Sequence, residues 1–175
     1  LQLDEPITSS QLEGANTTTL VARSMLESRR APRTEDEHMI AGNARLMDDI
    51  PALLDEPLTP ELIRRFHAIG MQGIRDEKYR PGEFRTTNDI VIADYDGTVV
   101  HQPPAAAGLA ERPERACAWV NDETHYIHPL VTACTLHFIL AHEPPLRDAN
   151  VRTRRALFFC AMPTSCSDAS RSLSI

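Results

Sequence analysis

The sequence lacks any apolar run of about 20 residues, the length that a membrane-spanning helix requires. It also lacks an excess of positive charge: 18 Lys and Arg residues stand against 25 Asp and Glu residues, which gives a formal charge of -7. Nucleic-acid binding depends on clustered basic side chains that displace counterions from phosphates. We therefore expect neither a membrane nor a nucleic acid as a partner.

Metal-site and disulfide patterns are missing as well. The four cysteines form no CxxC pair, so the sequence predicts neither a zinc site nor a disulfide framework. His142 and Glu143 open like the zinc-protease motif HExxH, but Pro144 and Pro145 forbid the helix that this motif requires. We expect reduced thiols and a cytoplasmic protein.

What the sequence does contain is helical periodicity, which predicts an all-α fold in a chain of 175 residues. In the first quarter, Thr8 or Ser9 is expected to cap a helix. Trp119, Phe138, Leu140, Leu157 and Phe158 are expected in the core. The further helices are expected at Asp36 to Leu54, Thr59 to Arg75, Glu111 to Asp122, Pro129 to His142 and Asn150 to Met162.

One β element interrupts the helices. Residues 89–93 and 98–101 are short β-prone runs, and Asp96 and Gly97 between them form a strong hairpin signal. The sequence therefore predicts a helical bundle with a small β-hairpin, which we call the flap.

The chemistry concentrates at the junction of the last two predicted helices, from His137 to Phe158. A tight loop followed by a helix N-terminus forms a natural anion site, because the first turn has unpaired N–H groups and a positive dipole end. Three arginines follow the loop and would add to that site: Arg152, Arg154 and Arg155.

Within this junction, the segment PPLRDANVRTRR from Pro144 to Arg155 resembles the Fic family signature HPFx[DE]GNGRxxR. In that family the His is the general base for AMP transfer from ATP to a protein hydroxyl, and its position here is Pro144. The resemblance implies that Asp148 holds Mg²⁺ and that Asn150, Arg152 and Arg155 hold the phosphates of ATP. Residues 144–151, which we call the signature loop, also replace the family Phe with Leu146 and its two Gly residues with Ala149 and Val151.

A second match lies near the N-terminus, where SSQLEG from Ser9 to Gly14 fits the inhibitory signature [ST]xxxE[GN] of Fic proteins that carry their own regulatory helix. The resemblance implies that Glu13 pairs with Arg155, the second arginine of the signature, and competes there with phosphate. Two further segments match the family. They are PGEFR at Pro81 to Arg85, which leads into the flap that docks target proteins by strand addition, and IHPLVTA at Ile127 to Ala133.

Some of these residues allow a second interpretation. Asp148 is either the metal ligand or a plain N-cap for the last helix. Arg154 is expected to face solvent, and His142 is a poor replacement for the base because it lies two positions too early on a helix end.

These observations predict three regions: an inhibitory and helical part at 1–55, a Fic core at 56–162, and an irregular tail at 163–175 left by truncation or frameshift. The function implied is AMP transfer to a Ser, Thr or Tyr hydroxyl, autoinhibited by Glu13 and impaired by Pro144, since a general base contributes about 10²–10⁴-fold to a rate. The alternative is a catalytically dead scaffold that docks a protein partner on its flap.

Overall fold

The computed structural model describes residues 3–53, 56–74 and 80–162. Within those ranges the chain forms seven helices and one antiparallel pair of short strands, so the all-α prediction with a small hairpin is confirmed. The predicted tail at 163–175 lies outside the described residues. In chain order the elements are α1 (Asp4–Leu12), α2 (Thr19–Glu27), α3 (Glu35–Leu53), α4 (Pro60–Gly70), β1 (Ile92–Ala93), β2 (Val99–His101), α5 (Glu111–Val120), α6 (Pro129–His142) and α7 (Asn150–Ala161).

Proline and cap residues set several of these helix starts. Pro60 and Pro129 occupy the first turn of their helices, where no N–H partner is needed. The Thr59 hydroxyl accepts a hydrogen bond from Leu62 N–H at 3.1 Å, as its position before Pro60 predicts. Helix α4 ends at Gly70, earlier than expected, and the predicted end at Arg75 lies outside the described residues.

The prediction that Thr8 or Ser9 caps the first helix is wrong. Helix α1 already begins at Asp4, and the Thr8 hydroxyl instead donates to the Asp4 carbonyl within the helix at 2.8 Å. The N-terminal region is also two helices, because the chain turns at Gly14 with φ +100°. Such a positive φ favours glycine, which has no Cβ to clash with the backbone.

Two apolar clusters hold these elements together. The larger one joins α3 and α4 to α6 and α7, with Phe66, Leu136 and Leu157 fully buried. The smaller one packs α1 and α2 on the start of α3 through Ile7, Met25 and Ile40. Both clusters therefore meet on α3, which brings α1 beside α7.

Helix α6 shows which core predictions held. Leu140 on α6 and Leu157 on α7 are buried, as expected, but Phe138 is 65% exposed. Helix α6 carries apolar residues on every side, so its sequence did not indicate which face would be covered.

The flap lies beside the end of α6. Ile92 pairs with His101 and Ala93 pairs with Val99, around the predicted turn. Among the described residues, no helix combines the length and apolar character needed to cross a bilayer.

Candidate functional site

The signature loop is held at its start by one buried arginine. Arg85, 3% exposed, donates from its backbone N–H to the Pro145 carbonyl and from Nε to the Pro144 carbonyl, both at 2.8 Å. Its two Nη atoms donate to the carbonyls of Thr87 and Pro104 on either side of the flap. Arg85, the last residue of the PGEFR match, thus ties the flap to the loop.

The loop closes on itself through Asn150. Its Oδ1 accepts the Leu146 N–H at 3.1 Å, and its Nδ2 donates to the Leu146 carbonyl at 2.8 Å. The side-chain amide of Asn150, which was predicted to bind phosphate, is therefore hydrogen-bonded to the loop backbone.

The residue before α7 keeps a left-handed conformation. Ala149, which stands where the family has its first glycine, has φ +52° and is buried. An L-residue in that region costs roughly 1–2 kcal/mol, which explains why glycine suits this position. Ala149 is also the N-cap residue of α7, so the interpretation of Asp148 as the cap is wrong.

At the first turn of α7, the anion site is filled by a carboxylate of the same chain. Arg152 is 1% exposed, and its Nε pairs with Oε2 of Glu13 while its backbone N–H donates to Oε1 of Glu13 at 3.1 Å. The remaining guanidinium nitrogens face the Gly70 carbonyl and the Met71 sulfur. Glu13 thereby takes both kinds of donor, a helix N-terminal N–H and a guanidinium, that a phosphate would use.

The expected partner of Glu13 was wrong. Glu13 contacts Arg152, and Arg155 instead pairs with Glu5, with Nε to Oε1 at 2.6 Å and Nη2 to Oε2 at 2.7 Å. The two contacts follow opposite orders along the helices, so that residue 13 meets the start of α7 and residue 5 meets the arginine one turn further on.

Electrostatics at Glu13 are a balance. Burial raises the pKa of Glu13 above its ordinary value, and Arg152 opposes that rise through its charge and its hydrogen bonds. The nearby Asp148 carboxylate raises the pKa further. Burial therefore disfavours the ionised form of Glu13, and its contacts with Arg152 offset part of that cost.

The two other residues of the inhibitory signature play backbone and packing roles. Ser9 is fully buried on α1, and among the described residues its hydroxyl has no hydrogen-bond partner. Gly14 makes the turn after α1, and a Cβ there would meet no atom within 4 Å. Conformation rather than space accounts for glycine at this position.

His67 contacts the backbone of the segment that leads into the flap, and no motif in the sequence pointed to it. It is fully buried on α4, and its Nδ1 accepts the Gly82 N–H at 3.0 Å. Burial, followed by the charge of Arg152, lowers the pKa of His67 to about 4, and the nearby Asp148 backbone opposes part of that decrease. His67 therefore stays neutral at pH 7 and accepts the hydrogen bond from the Gly82 backbone.

The prediction that Arg154 faces solvent does not hold. Arg154 is half-buried, and its pKa is lowered by burial, in part offset by Glu13. Burial lowers the pKa of His137 on α6, and the charge of Arg154 adds to that decrease.

Asp148 is half-buried beside Glu13. Within residues 3–53, 56–74 and 80–162, no three His, Cys, Asp or Glu side chains form a cluster that could hold a metal by themselves. Mg²⁺ commonly takes one or two carboxylates together with substrate phosphates, so a single Asp148 fits that pattern.

Where the family base would stand, Pro144 is buried and has no titratable group. Two histidines contact each other at the end of α6, two residues before Pro144: His101 Nε2 donates to the His142 carbonyl at 2.8 Å, and the two ring centres lie 4.3 Å apart. His142 is exposed at the end of α6, with its ring also against Phe138.

A buried arginine in the first turn of a helix, approached by a carboxylate from an N-terminal helix, defines an anion-binding site of the Fic type. Residues 57–162 match the Fic/DOC family. The chain belongs to that family.

Curated relatives extend the match towards the N-terminus. The chain is 33% identical over 160 residues to a protein of Drosophila grimshawi named protein adenylyltransferase Fic, covering 83% of this chain and 30% of the relative. The protein of the same name from Drosophila melanogaster is 32% identical, with 83% of this chain and 29% of the relative covered. The chain thus spans less than a third of the length of these relatives.

Solved structures show the same fold. A Fic domain-containing signaling protein from Bacteroides thetaiotaomicron superposes with a TM-score of 0.79 at 19% identity, covering 91% of this chain and 61% of the other. Fic-1 from C. elegans gives a TM-score of 0.68 at 22% identity, covering 88% and 45%. The Fic-type helical architecture is therefore confirmed.

Proposed function

We propose that this chain is an AMP-transferring Fic domain whose nucleotide site is closed by its own N-terminal helix and whose chemistry is impaired at Pro144. The observation that carries the proposal is the Glu13 carboxylate on Arg152, bound to the guanidinium and to the backbone N–H of the first turn of α7. Relatives about 32% identical that are named adenylyltransferases support the chemistry.

The reaction transfers AMP from ATP to a protein hydroxyl. The hydroxyl oxygen forms a bond to the α-phosphorus, the bond to the bridging oxygen breaks, pyrophosphate leaves, and the hydroxyl proton must go to a base. Asp148 would hold Mg²⁺, and Arg152 and Arg155 would hold phosphates once their carboxylate partners leave. Mg²⁺ would neutralise the charge that develops on the phosphates.

Pro144 cannot accept the hydroxyl proton, so water must accept it. Loss of a general base typically lowers a rate about 10²–10⁴-fold. We therefore propose that the chain retains nucleotide binding while its rate of AMP transfer is lowered.

The experiment compares the wild type with Glu13→Gly and with Glu13→Gly combined with Pro144→His. Calorimetry with ATP and Mg²⁺ should show affinity rising about ten- to hundredfold in Glu13→Gly, because the charge-assisted contacts it removes compete with phosphate. Glu123→Gly, which removes an exposed carboxylate from a loop, is the control and should change nothing.

Transfer is then measured with α-labelled ATP, on the protein itself and on added lysate. The double variant should label protein, Glu13→Gly alone should do so far more slowly, and adding Arg152→Ala should abolish the signal. Absence of both binding and labelling in every variant would contradict the enzyme proposal.

That result would favour a second proposal, a scaffold that docks a partner strand on the flap. Val91, Val99 and Val100 are 44–61% exposed along the hairpin, which suits strand addition. The protein partner, whether substrate or bound ligand, would be held there in both proposals.

A further inference from the structure

Helix α1 contacts α7 through a second carboxylate besides Glu13. Glu5 and Arg155 form two parallel hydrogen bonds of 2.6 and 2.7 Å, the fork-to-fork geometry that is the strongest arrangement for this pair of side chains. The Glu5 side chain is 19% exposed and that of Arg155 is 31% exposed. Solvent therefore screens this pair less than an ordinary surface ion pair.

Glu5 and Glu13 each pair with a different arginine of α7. Glu5 and Glu13 are eight residues apart and Arg152 and Arg155 are three apart. The first carboxylate pairs with the second arginine, and the second carboxylate pairs with the first. Each signature arginine thus has one carboxylate of its own. A triphosphate would need the same two guanidinium groups.

The position of α1 does not depend on these ion pairs alone. Ile7 is fully buried in the cluster that α1 shares with α2 and α3. Asn43 on α3 donates from Nδ2 to the Pro6 carbonyl of α1 at 3.1 Å. Removing one carboxylate should therefore leave α1 docked and leave the other contact in place.

We propose that Glu5 is a second inhibitory residue, so that α1 places two carboxylates where two phosphate groups of a nucleotide would bind. The inference rests on the proposed nucleotide site and deepens it. Release of Glu13 frees Arg152 and the helix N-terminus but leaves Arg155 occupied. Full nucleotide affinity requires that Glu5 lets go as well.

The residue before Glu5 provides a matched control variant. Asp4, the preceding residue of α1, pairs with Arg23 on α2, and the two side chains are 67% and 40% exposed. Asp4→Asn removes a carboxylate and an ion pair from the same turn without touching α7. An effect of Glu5 through Arg155 is thereby separated from general loosening of α1.

The test uses variants of the full chain: Glu5→Gln, Glu13→Gln, both together, Asp4→Asn with Glu13→Gln, and Arg155→Met with and without Glu5→Gln. Affinity for ATP with Mg²⁺ is measured by calorimetry. Glu5→Gln should raise affinity roughly three- to tenfold when added to Glu13→Gln, while Asp4→Asn should not. In an Arg155→Met background the Glu5 substitution should have no effect, because its partner is gone.

The outcomes separate the two proposals. If Glu13→Gln alone reaches the affinity of the Glu5 and Glu13 double variant, Glu5 is not inhibitory and the nucleotide site stands. If Asp4→Asn raises affinity as much as Glu5→Gln, the effect belongs to the helix and the inference is overturned. If no variant binds ATP, the nucleotide site itself is wrong and this inference is lost with it.

Discussion

The buried His67 predicts a specific loss of stability in mild acid. Its pKa falls from an ordinary value of 6.5 to about 4, mainly because burial opposes the charged ring. The folded protein therefore keeps His67 neutral, whereas the unfolded chain takes up a proton below pH 6.5. The stabilisation is complete above pH 6.5 and is lost as the pH falls towards 4.

The magnitude follows from the same difference. At about 1.4 kcal/mol for each pH unit, the gap between 6.5 and about 4 corresponds to roughly 3 kcal/mol. Geometry agrees with the sign, because a protonated Nδ1 could no longer accept the Gly82 N–H at 3.0 Å. The charged ring would also face the buried guanidinium of Arg152.

The assay is urea denaturation at several pH values between 4 and 7.5, comparing the wild type with His67→Asn. The Asn Oδ1 can replace Nδ1 as acceptor for Gly82 but does not titrate. The variant should lose less stability than the wild type across this range, with the curves diverging by roughly 3 kcal/mol. His125→Asn, at an exposed position, should follow the wild type. Parallel curves for the wild type and His67→Asn would refute the reasoning.

Two further predictions concern packing and charge away from the loop. Hydrogen bonds from Arg30 and from the Arg33 N–H hold the pKa of Glu37 at about 2, below its ordinary 4.5. Glu37→Gln should therefore lower the free energy of unfolding by about 1–3 kcal/mol at pH 7 and remove the loss of stability between pH 4.5 and 2, and unchanged acid unfolding would argue against it. A Cβ at Gly42 would collide with the Gly70 carbonyl, so Gly42→Ala should cost about 1–3 kcal/mol in thermal or urea unfolding. Gly70→Ala is the matched control, because its Cβ would meet only Leu46 Cδ2 at 3.5 Å; equal losses would contradict the steric argument.

Local sequence signals predicted the helix limits well where proline acts on the backbone. Helix α6 has the predicted bounds, since Pro129 starts it and Pro144 and Pro145 follow its end. Helix α7 begins at Asn150 as predicted. These are effects of residues within a few positions of each other, which a single sequence contains in full.

Contacts between distant segments were harder to predict. The signature match correctly predicted that α1 contacts α7, but it could not determine which turn of one helix meets which turn of the other. Glu13 was therefore assigned to Arg155 instead of Arg152. One signal was available for Glu5: it lies two helical turns before Glu13, at a spacing that places both towards the same side.

His67 and Arg85 were missed as site residues for a different reason. Their partners are the Gly82 N–H and the carbonyls of Pro144 and Pro145, and backbone groups carry no sequence signature. A polar side chain that binds backbone looks, in sequence, like any other His or Arg. Only burial in the fold, 0% and 3% exposed, marks these two as structural supports of the loop.

The same backbone contacts bear on what the substitutions in the signature loop have cost. Arg85 and Asn150 hold the loop through main-chain atoms, which every residue type provides. Ala149 adopts a left-handed conformation, which favours glycine. Main-chain contacts therefore hold the loop around Pro144, which provides no base. If these contacts hold the loop in a working conformation, Pro144→His combined with Glu13→Gly should restore AMP transfer. If the loop does not have that conformation, transfer should also require glycine at Ala149 and Val151.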